Sequence, residues 1–353
     1  MDTVYDAVII GLGPAGATAA RLLGQKGLKI AAIDLKTDAA DSFRKPCGGL
    51  LAPDAQKALA RFNLTLPKDV LVDPQIFAVR TVDAGRGIMR HYQRFYINID
   101  RHKFDLWLAS LIPDNVCVIG GARCSGIEDC GNHYKVRYIK NGADSMISAK
   151  YLVGADGSNS FVRKNLFPGN DIPRHISIQQ WFEARNQSPQ YLCVFGGMTD
   201  SYCWGVPKDG RFIVGGAFPK QSGRDGMALL TKFLRDGGLI YGQPVKTEAC
   251  LVSMPRGPRD ICLSSGRAFL IGEAAGLISP TSLEGISYAL NSAHALAESL
   301  TSDSADPGRT YRGMTAGLRR KLLLKHIKRP FMYNPFLRGA IMRSGINAID
   351  VIS

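Results

Sequence analysis

The feature that most constrains this chain is a glycine run, Gly11-Leu12-Gly13-Pro14-Ala15-Gly16, set between a short β-branched segment, Tyr5–Ile10, and a helical stretch near Ala15–Gly24. A second apolar run, Lys29–Asp34, follows, so the pattern predicts a βαβ unit. G-x-G-x-x-G in that context is the fingerprint of a dinucleotide site. Gly11 permits the tight turn, Gly13 lets backbone N–H groups approach a pyrophosphate at the helix N-terminus, and Gly16 allows helix and strand to pack closely. Pro14 and Ala15 complete the turn. Asp34, at the end of the second strand, is placed to accept hydrogen bonds from the hydroxyls of an adenosine ribose.

The 353 residues are enough for one large or two intimately shared domains, which points to an enzyme-sized globule rather than a small binding module. No segment approaches the roughly 18 uninterrupted apolar residues that a membrane span needs. Asp2 and Asp6 stand where a signal peptide would carry basic residues. The eight cysteines are scattered without Cys-x-x-Cys pairing, and no histidine cluster accompanies them, so reduced thiols in a cytoplasm are expected and no metal site is.

A net charge of +14 implies attraction to something anionic. Much of it gathers near the C-terminus, where Arg319, Arg320, Lys321, Lys325, Lys328 and Arg329 alternate with Leu322, Leu323, Leu324 and Ile327 ahead of Phe331–Phe336. This reads as a basic amphipathic helix. Its leucines either pack on the protein, the commoner arrangement, or meet a membrane surface; no recognised motif supports nucleic-acid binding.

Apolar strands broken by turns follow at Ile176–Ala184, Tyr191–Phe195, Tyr202–Val206 and Phe212–Ala217, a pattern of an antiparallel sheet. A strand at Ala268–Ile271 and a helical pattern from about Leu283 to Leu300 return to the style of the N-terminus. The expected fold is α/β: a Rossmann-like, glutathione-reductase-like domain with an inserted antiparallel substrate sheet and C-terminal helices. The dinucleotide part takes residues 1–75, 100–170 and 260–305, the sheet 76–99 and 171–259, and a basic helical region 306–353. After the βαβ unit comes an irregular stretch, Lys36–Leu51.

Two later segments separate FAD from NAD. Val153-Gly154-Ala155-Asp156-Gly157-Ser158-Asn159-Ser160 with Arg163 resembles the D-G motif of the para-hydroxybenzoate-hydroxylase-like flavoprotein superfamily, and Phe269-Leu270-Ile271-Gly272-Glu273-Ala274-Ala275-Gly276 resembles its G-D motif, with Glu273 in place of the usual aspartate. The resemblance spans nearly the whole chain and implies FAD as the cofactor. It also carries over Arg101, at the start of a helix, as a flavin contact. After the second motif, Pro280–Ile286 opens a helix whose N–H groups, near Gly285 and Ile286, can stabilise negative charge at the flavin.

Within that superfamily the chain is similar to the geranylgeranyl reductase family. Lys45-Pro46-Cys47-Gly48-Gly49 resembles the P-C-G-G loop that those reductases set beside the flavin, and Tyr202-Cys203-Trp204-Gly205-Val206-Pro207-Lys208 resembles their Y-x-W-x-F-P motif lining a lipid pocket. Val206 replaces the phenylalanine, and Gly215-Gly216-Ala217 stands where G-x-G is usual. The resemblance implies hydride transfer to a C=C bond of an isoprenoid or other apolar substrate, with Cys47, Tyr202 and Trp204 at the reaction site. Cys47 is either chemically active there or only a small packed residue. The same scaffold also serves aromatic hydroxylases, and a flavin-bearing membrane-surface protein without turnover is a third reading. No second G-x-G-x-x-G unit marks a nicotinamide domain, so the electron donor, whether NAD(P)H, ferredoxin or quinol, stays open.

Overall fold

The structure is a computed structural model that describes residues 4–36, 44–184 and 189–352. Asp2, residues 37–43 of the irregular stretch and the C-terminal Ser353 lie outside the described residues. The chain forms two compact units: Met1–Arg44, Phe104–Pro173 and Pro255–Leu324 make the first, and Lys45–Lys103, Arg174–Met254 and Lys325–Ser353 the second.

The first unit is built on a sheet whose order is Ser264–Ser265, Ala268–Leu270, Ala143–Gly154, Val4–Ile10, Ile30–Asp34 and Cys117–Gly120. All neighbours in it run parallel except the short antiparallel edge at Ser264–Ser265. Ala7–Ile10 and Ile30–Ile33 are buried on both faces, as near-continuous apolar strands of a covered parallel sheet should be. The helices Pro14–Gln25 and Ile286–Leu300 pack together in this unit. Both carry small buried side chains, Ala17, Ala19 and Ala20 on one and Ala289, Ala293 and Ala297 on the other. An antiparallel meander, Ala122–Asp129 and Tyr134–Lys140, extends the sheet from the strand Ala143–Gly154.

The second unit holds a nine-stranded sheet. Its neighbours in order are Lys246–Ser253, Arg174–Glu183, Arg211–Phe218, Cys203–Lys208, Gln190–Phe195, Ile76–Asp83, Ile88–Asn98 and Ala348–Ile349. The sheet is mixed rather than wholly antiparallel, because Gln190–Phe195 runs parallel to Ile76–Asp83. Side-chain alternation is the same in either direction, so the sequence pattern carries no orientation. One face buries Ile178, Phe182, Leu192, Val194, Val214 and Phe218 against Met227, Leu230 and Leu234 of the helix Gly223–Asp236.

These units divide the chain differently from the sequence expectation. The segment from Lys45 belongs to the second unit, because Leu50–Leu51 pairs antiparallel with Ile97–Asn98. The region from 306 onward is not separate but shared: Pro307–Met314 lies in the first unit and Pro335–Ser344 in the second. The second long helix begins at Ile286 rather than Leu283, since Leu283 has φ 52°, a left-handed conformation that a helix cannot include.

Candidate functional site

In the first unit the glycine run turns directly out of the strand Val4–Ile10. Gly11 has φ +96°, and a Cβ there would lie 2.7 Å from the Ala155 carbonyl oxygen. A Cβ on Gly16 would lie 1.8 Å from the Gly11 carbonyl oxygen, so both positions are closed to any side chain. Gly13 differs: a Cβ there would meet nothing within 4 Å.

Gly13 is the N-cap of the helix Pro14–Gln25, and no side chain caps that helix. By contrast, Ser160, Asp306 and Asn334 each cap the helix that follows them. The glycine turn therefore leaves an open space over backbone amides at the positive end of a helix, the arrangement a pyrophosphate needs. Asp34, nearly buried, accepts hydrogen bonds from the backbone N–H of Leu12 and from that of Lys36, the latter at 2.7 Å. The carboxylate is thus fixed against the glycine turn, with lone pairs remaining for ribose hydroxyls. These residues fit FAD.

The D-G segment is held from within. Asp156 accepts from Ser160 Oγ at 2.5 Å, from Phe161 N at 2.6 Å and from Val162 N at 3.2 Å, so its carboxylate organises the turn into the helix Phe161–Leu166. Burial raises its pKa, partly offset by those hydrogen bonds. Gly157, at φ +71° with open space beside it, is required by its conformation rather than by packing.

Arg163 ties the two flavin motifs together inside this unit. Its guanidinium donates to the carbonyls of Asn170 at 2.8 Å, Ala274 at 3.0 Å and Asp260 at 2.7 Å. Gly272 and Gly276 bracket the turn bearing Glu273; a Cβ on Gly272 would lie 2.9 Å from that of Ala15, and Gly276 has φ +80°. Fingerprint helix and G-D segment thus meet at a glycine.

At the helix Ile286–Leu300, preceded by Gly285, one of the N–H groups expected to be open is taken. Glu284 accepts from Ser287 N at 2.7 Å and from Ser287 Oγ at 2.8 Å. A carboxylate therefore already occupies part of the positive potential at this helix start, which weakens its capacity for a second negative charge.

In the second unit the P-C-G-G loop and the aromatic motif are brought together. A Cβ on Gly48 would lie 3.6 Å from Val206 Cγ2 and 3.9 Å from Trp204 Cδ1 and Nε1. The Cys250 thiol lies 3.9 Å from the Pro46 carbonyl oxygen, and Cys47 Sγ accepts from Gly49 N at 3.4 Å. Lys45 and Arg101 also belong to this unit, Arg101 as the first residue of the helix Arg101–Ser110, which Asp100 caps through the N–H groups of His102 and Lys103.

Trp204 pairs across the sheet with Gly215, which in turn pairs with Gln179, so all three share the face opposite the helix-covered one. Tyr202 stands one residue outside the strand Cys203–Lys208, yet its ring still packs against Trp204 with centroids 5.8 Å apart and against Phe195 at 6.3 Å. Burial, with neighbouring Cys193 and Tyr333, holds the Tyr202 hydroxyl well above the ordinary phenol range. The face is not purely apolar: Trp204 Nε1 and Gln179 Oε1 are buried without a hydrogen-bond partner among the described residues.

Residues 125–230 match the family model described as FAD binding domain. Protein CbrA from Escherichia coli O6:H1 is 46% identical over 97% of this chain and 94% of its own length. Protein CbrA from Shigella sonnei is 45% identical over 97% of both. Among solved structures, a geranylgeranyl bacteriochlorophyll reductase-like protein from Thermoplasma acidophilum aligns with TM-score 0.78 and 19% identity, covering 93% of this chain and 86% of its own. PqsL, a probable FAD-dependent monooxygenase from Pseudomonas aeruginosa, aligns with TM-score 0.72 and 17% identity over 96% of this chain and 100% of its own. At such identities these structures establish the fold.

Proposed function

The chain belongs to the CbrA family and is an FAD-dependent oxidoreductase by class, and from that premise we propose that it is a reductase of the geranylgeranyl reductase type, acting on a C=C bond of an isoprenoid or other apolar substrate. The observation that carries this reading is the packing of the Pro46–Gly49 loop on Trp204 and Val206. Two motifs about 150 residues apart in sequence form one surface, and both come from the same family resemblance. Reduced FAD, when bound, supplies a hydride to one carbon of a double bond, with a proton completing the other. Tyr202, Trp204 and Phe195 supply an aromatic wall that excludes water, and adjacent glycines at 48 and 49 let backbone approach a flat ring.

The test is anaerobic. Photoreduced protein is mixed with a geranylgeranyl lipid and, in a parallel sample, with oxygen, and the visible flavin band is followed. Prompt reoxidation by lipid with a saturated product supports reduction; inertness to lipid with substrate-stimulated oxygen consumption refutes it. In the same assay Cys47→Ala should retain FAD and lower the rate of lipid-driven reoxidation by at least about tenfold if the thiol serves proton transfer. An unchanged rate makes Cys47 a packing residue.

Aromatic hydroxylation is the second reading. It is favoured by the polar atoms of this face, the Trp204 indole N–H and Gln179 Oε1, which have no hydrogen-bond partner among the described residues and which suit a hydroxyl-bearing ring better than a bare isoprenoid.

A membrane-surface contact accompanies either reading. Residues 307–349 contain ten Lys and Arg and no Asp or Glu. In the helix Ala316–Tyr333 only Leu322 is buried, while Leu323, Leu324, Ile327 and Phe331 are between 42% and 60% exposed. Phe336 in the next helix is 78% exposed. No helix of the described residues is long and apolar enough to cross a membrane. A basic helix with bare apolar side chains suits the surface of an anionic bilayer. Replacing Ile327 and Phe331 with serine should cut co-sedimentation with phosphatidylserine-containing vesicles at least about fivefold and leave bound flavin unchanged. Equal co-sedimentation of wild type and variant would remove the membrane from the proposal.

A further inference from the structure

We propose that Lys208 is a positioning residue whose ammonium clamps the Pro46–Gly49 loop in place. Lys208 ends the aromatic motif segment and is only 6% exposed. Its Nζ donates to Asn98 Oδ1 at 2.5 Å, to the Ile99 carbonyl at 2.7 Å and to the Gly49 carbonyl at 3.3 Å. A lysine ammonium has three donors and no acceptor, so the site fits the charged form completely.

Two of the three acceptors are themselves fixed. The Asn98 amide donates to the carbonyls of Pro74 and Pro207, both at 2.9 Å, which orients its oxygen towards Lys208. The Gly49 carbonyl also accepts the Ile99 N–H at 2.8 Å. Gly49 has φ +63°, and a Cβ there would lie 2.3 Å from the Ile99 oxygen and 2.7 Å from Lys208 Nζ. Only glycine therefore lets the loop descend onto this amine. The Gly49 N–H reaches back to Cys47 Sγ, so one residue joins the amine to the thiol.

Burial is the largest influence on Lys208 and pushes its pKa down from 10.5 to about 8, against the opposing effects of Cys47, Asp100 and Asp209. Those three are the charged or titratable groups that face it, from the loop, the start of the helix Arg101–Ser110 and the turn after its own strand. Because the closed site holds this pKa below the exposed value of 10.5, an opened and hydrated amine would bind its proton more tightly, so rising pH between about 8 and 10.5 does not open the loop. The clamp rests on the three hydrogen bonds, and substitution of the lysine tests it.

This inference rests on the reading that the loop is the working part of the site, and the test reads the loop without substrate or turnover. Amide hydrogen exchange of the peptide covering 45–50 is measured on the FAD-loaded wild type, Lys208→Met and Lys208→Arg proteins at one pH. Protection should fall roughly tenfold in Lys208→Met, while the helix Gly223–Asp236 in the same unit stays protected, and Lys208→Arg should recover part of it. Full loop protection in Lys208→Met overturns the proposal. If Lys208→Met fails to fold, Lys208→Gln takes its place with the same two outcomes. A clamp that behaves as expected in a protein inert to prenyl lipid would remove the reductase reading and leave the clamp standing.

Discussion

Gly13→Asp should abolish FAD binding and leave the first unit folded. The two halves of that outcome come from different atoms. A Cβ at Gly13 meets nothing within 4 Å, and the residue has φ −69° and ψ −173°, which any amino acid adopts. Aspartate is a favoured N-cap, and its carboxylate would bond the free amides of the following turn and stabilise the apo-helix by a few tenths of a kcal/mol.

The same carboxylate would then occupy the place expected for the pyrophosphate. Two like charges about 4 Å apart at an effective dielectric of about 20 repel by roughly 4 kcal/mol, or about a thousandfold in affinity. The check is the ratio of flavin to protein absorbance after reconstitution with excess FAD, together with a melt of the apo-protein. A yellow, fully loaded variant sinks the assignment of the pyrophosphate to this turn. Gly16→Ala is the useful contrast: its Cβ would run into the Gly11 carbonyl at 1.8 Å, so it should lose the fold along with the flavin.

Why one half of the site can be read from sequence and the other cannot is a matter of range. The fingerprint is local: Gly11, Gly13 and Gly16 fall within six residues, and their demands on φ and space follow from the strand on one side and the helix on the other. Lys208 carries no such signal, because Asn98 and Ile99 are 110 and 109 residues away and the lysine reads as a strand-end surface charge. Arg163 is the intermediate case. Its place after Asp-Gly is recognisable, but three backbone carbonyls as its partners, two of them about 100 residues on, are not. The Glu284 cap lies three residues before Ser287 and was open to sequence reasoning; the positive φ of Leu283, which moves the helix start next to it, was not. On the C-terminal helix the alternation of leucines and basic residues is plain in the sequence, yet only the coordinates separate buried Leu322 from exposed Leu323 and Leu324.

Arg338→Met should be the most destabilising single change in the second unit. Arg338 is 7% exposed and Asp83 0%, and Arg338 Nε donates to Asp83 Oδ2 at 2.9 Å. The other carboxylate oxygen, Oδ1, is buried and has no hydrogen-bond partner among the described residues, so this arginine is what compensates the burial of the carboxylate. Removing the guanidinium strands that charge and should cost about 3–5 kcal/mol, read as a shift of the denaturant midpoint at unchanged slope. Arg338 does more than neutralise. It donates to the carbonyls of Met332 at 3.0 Å and Tyr333 at 3.4 Å, and it lies 4.9 Å over the ring of Phe195, which packs against both Tyr202 and Tyr333. The arginine thereby fastens the C-terminal helix Pro335–Ser344 to the aromatic face. Asp83→Leu combined with Arg338→Met separates the two roles: recovery of most of the lost stability assigns the cost to the stranded carboxylate, as for other buried pairs exchanged for apolar residues. A double variant as unstable as Arg338→Met alone would assign it to the lost carbonyl and ring contacts. A single variant within about 1 kcal/mol of wild type would show that the pair does not anchor the C-terminal helix.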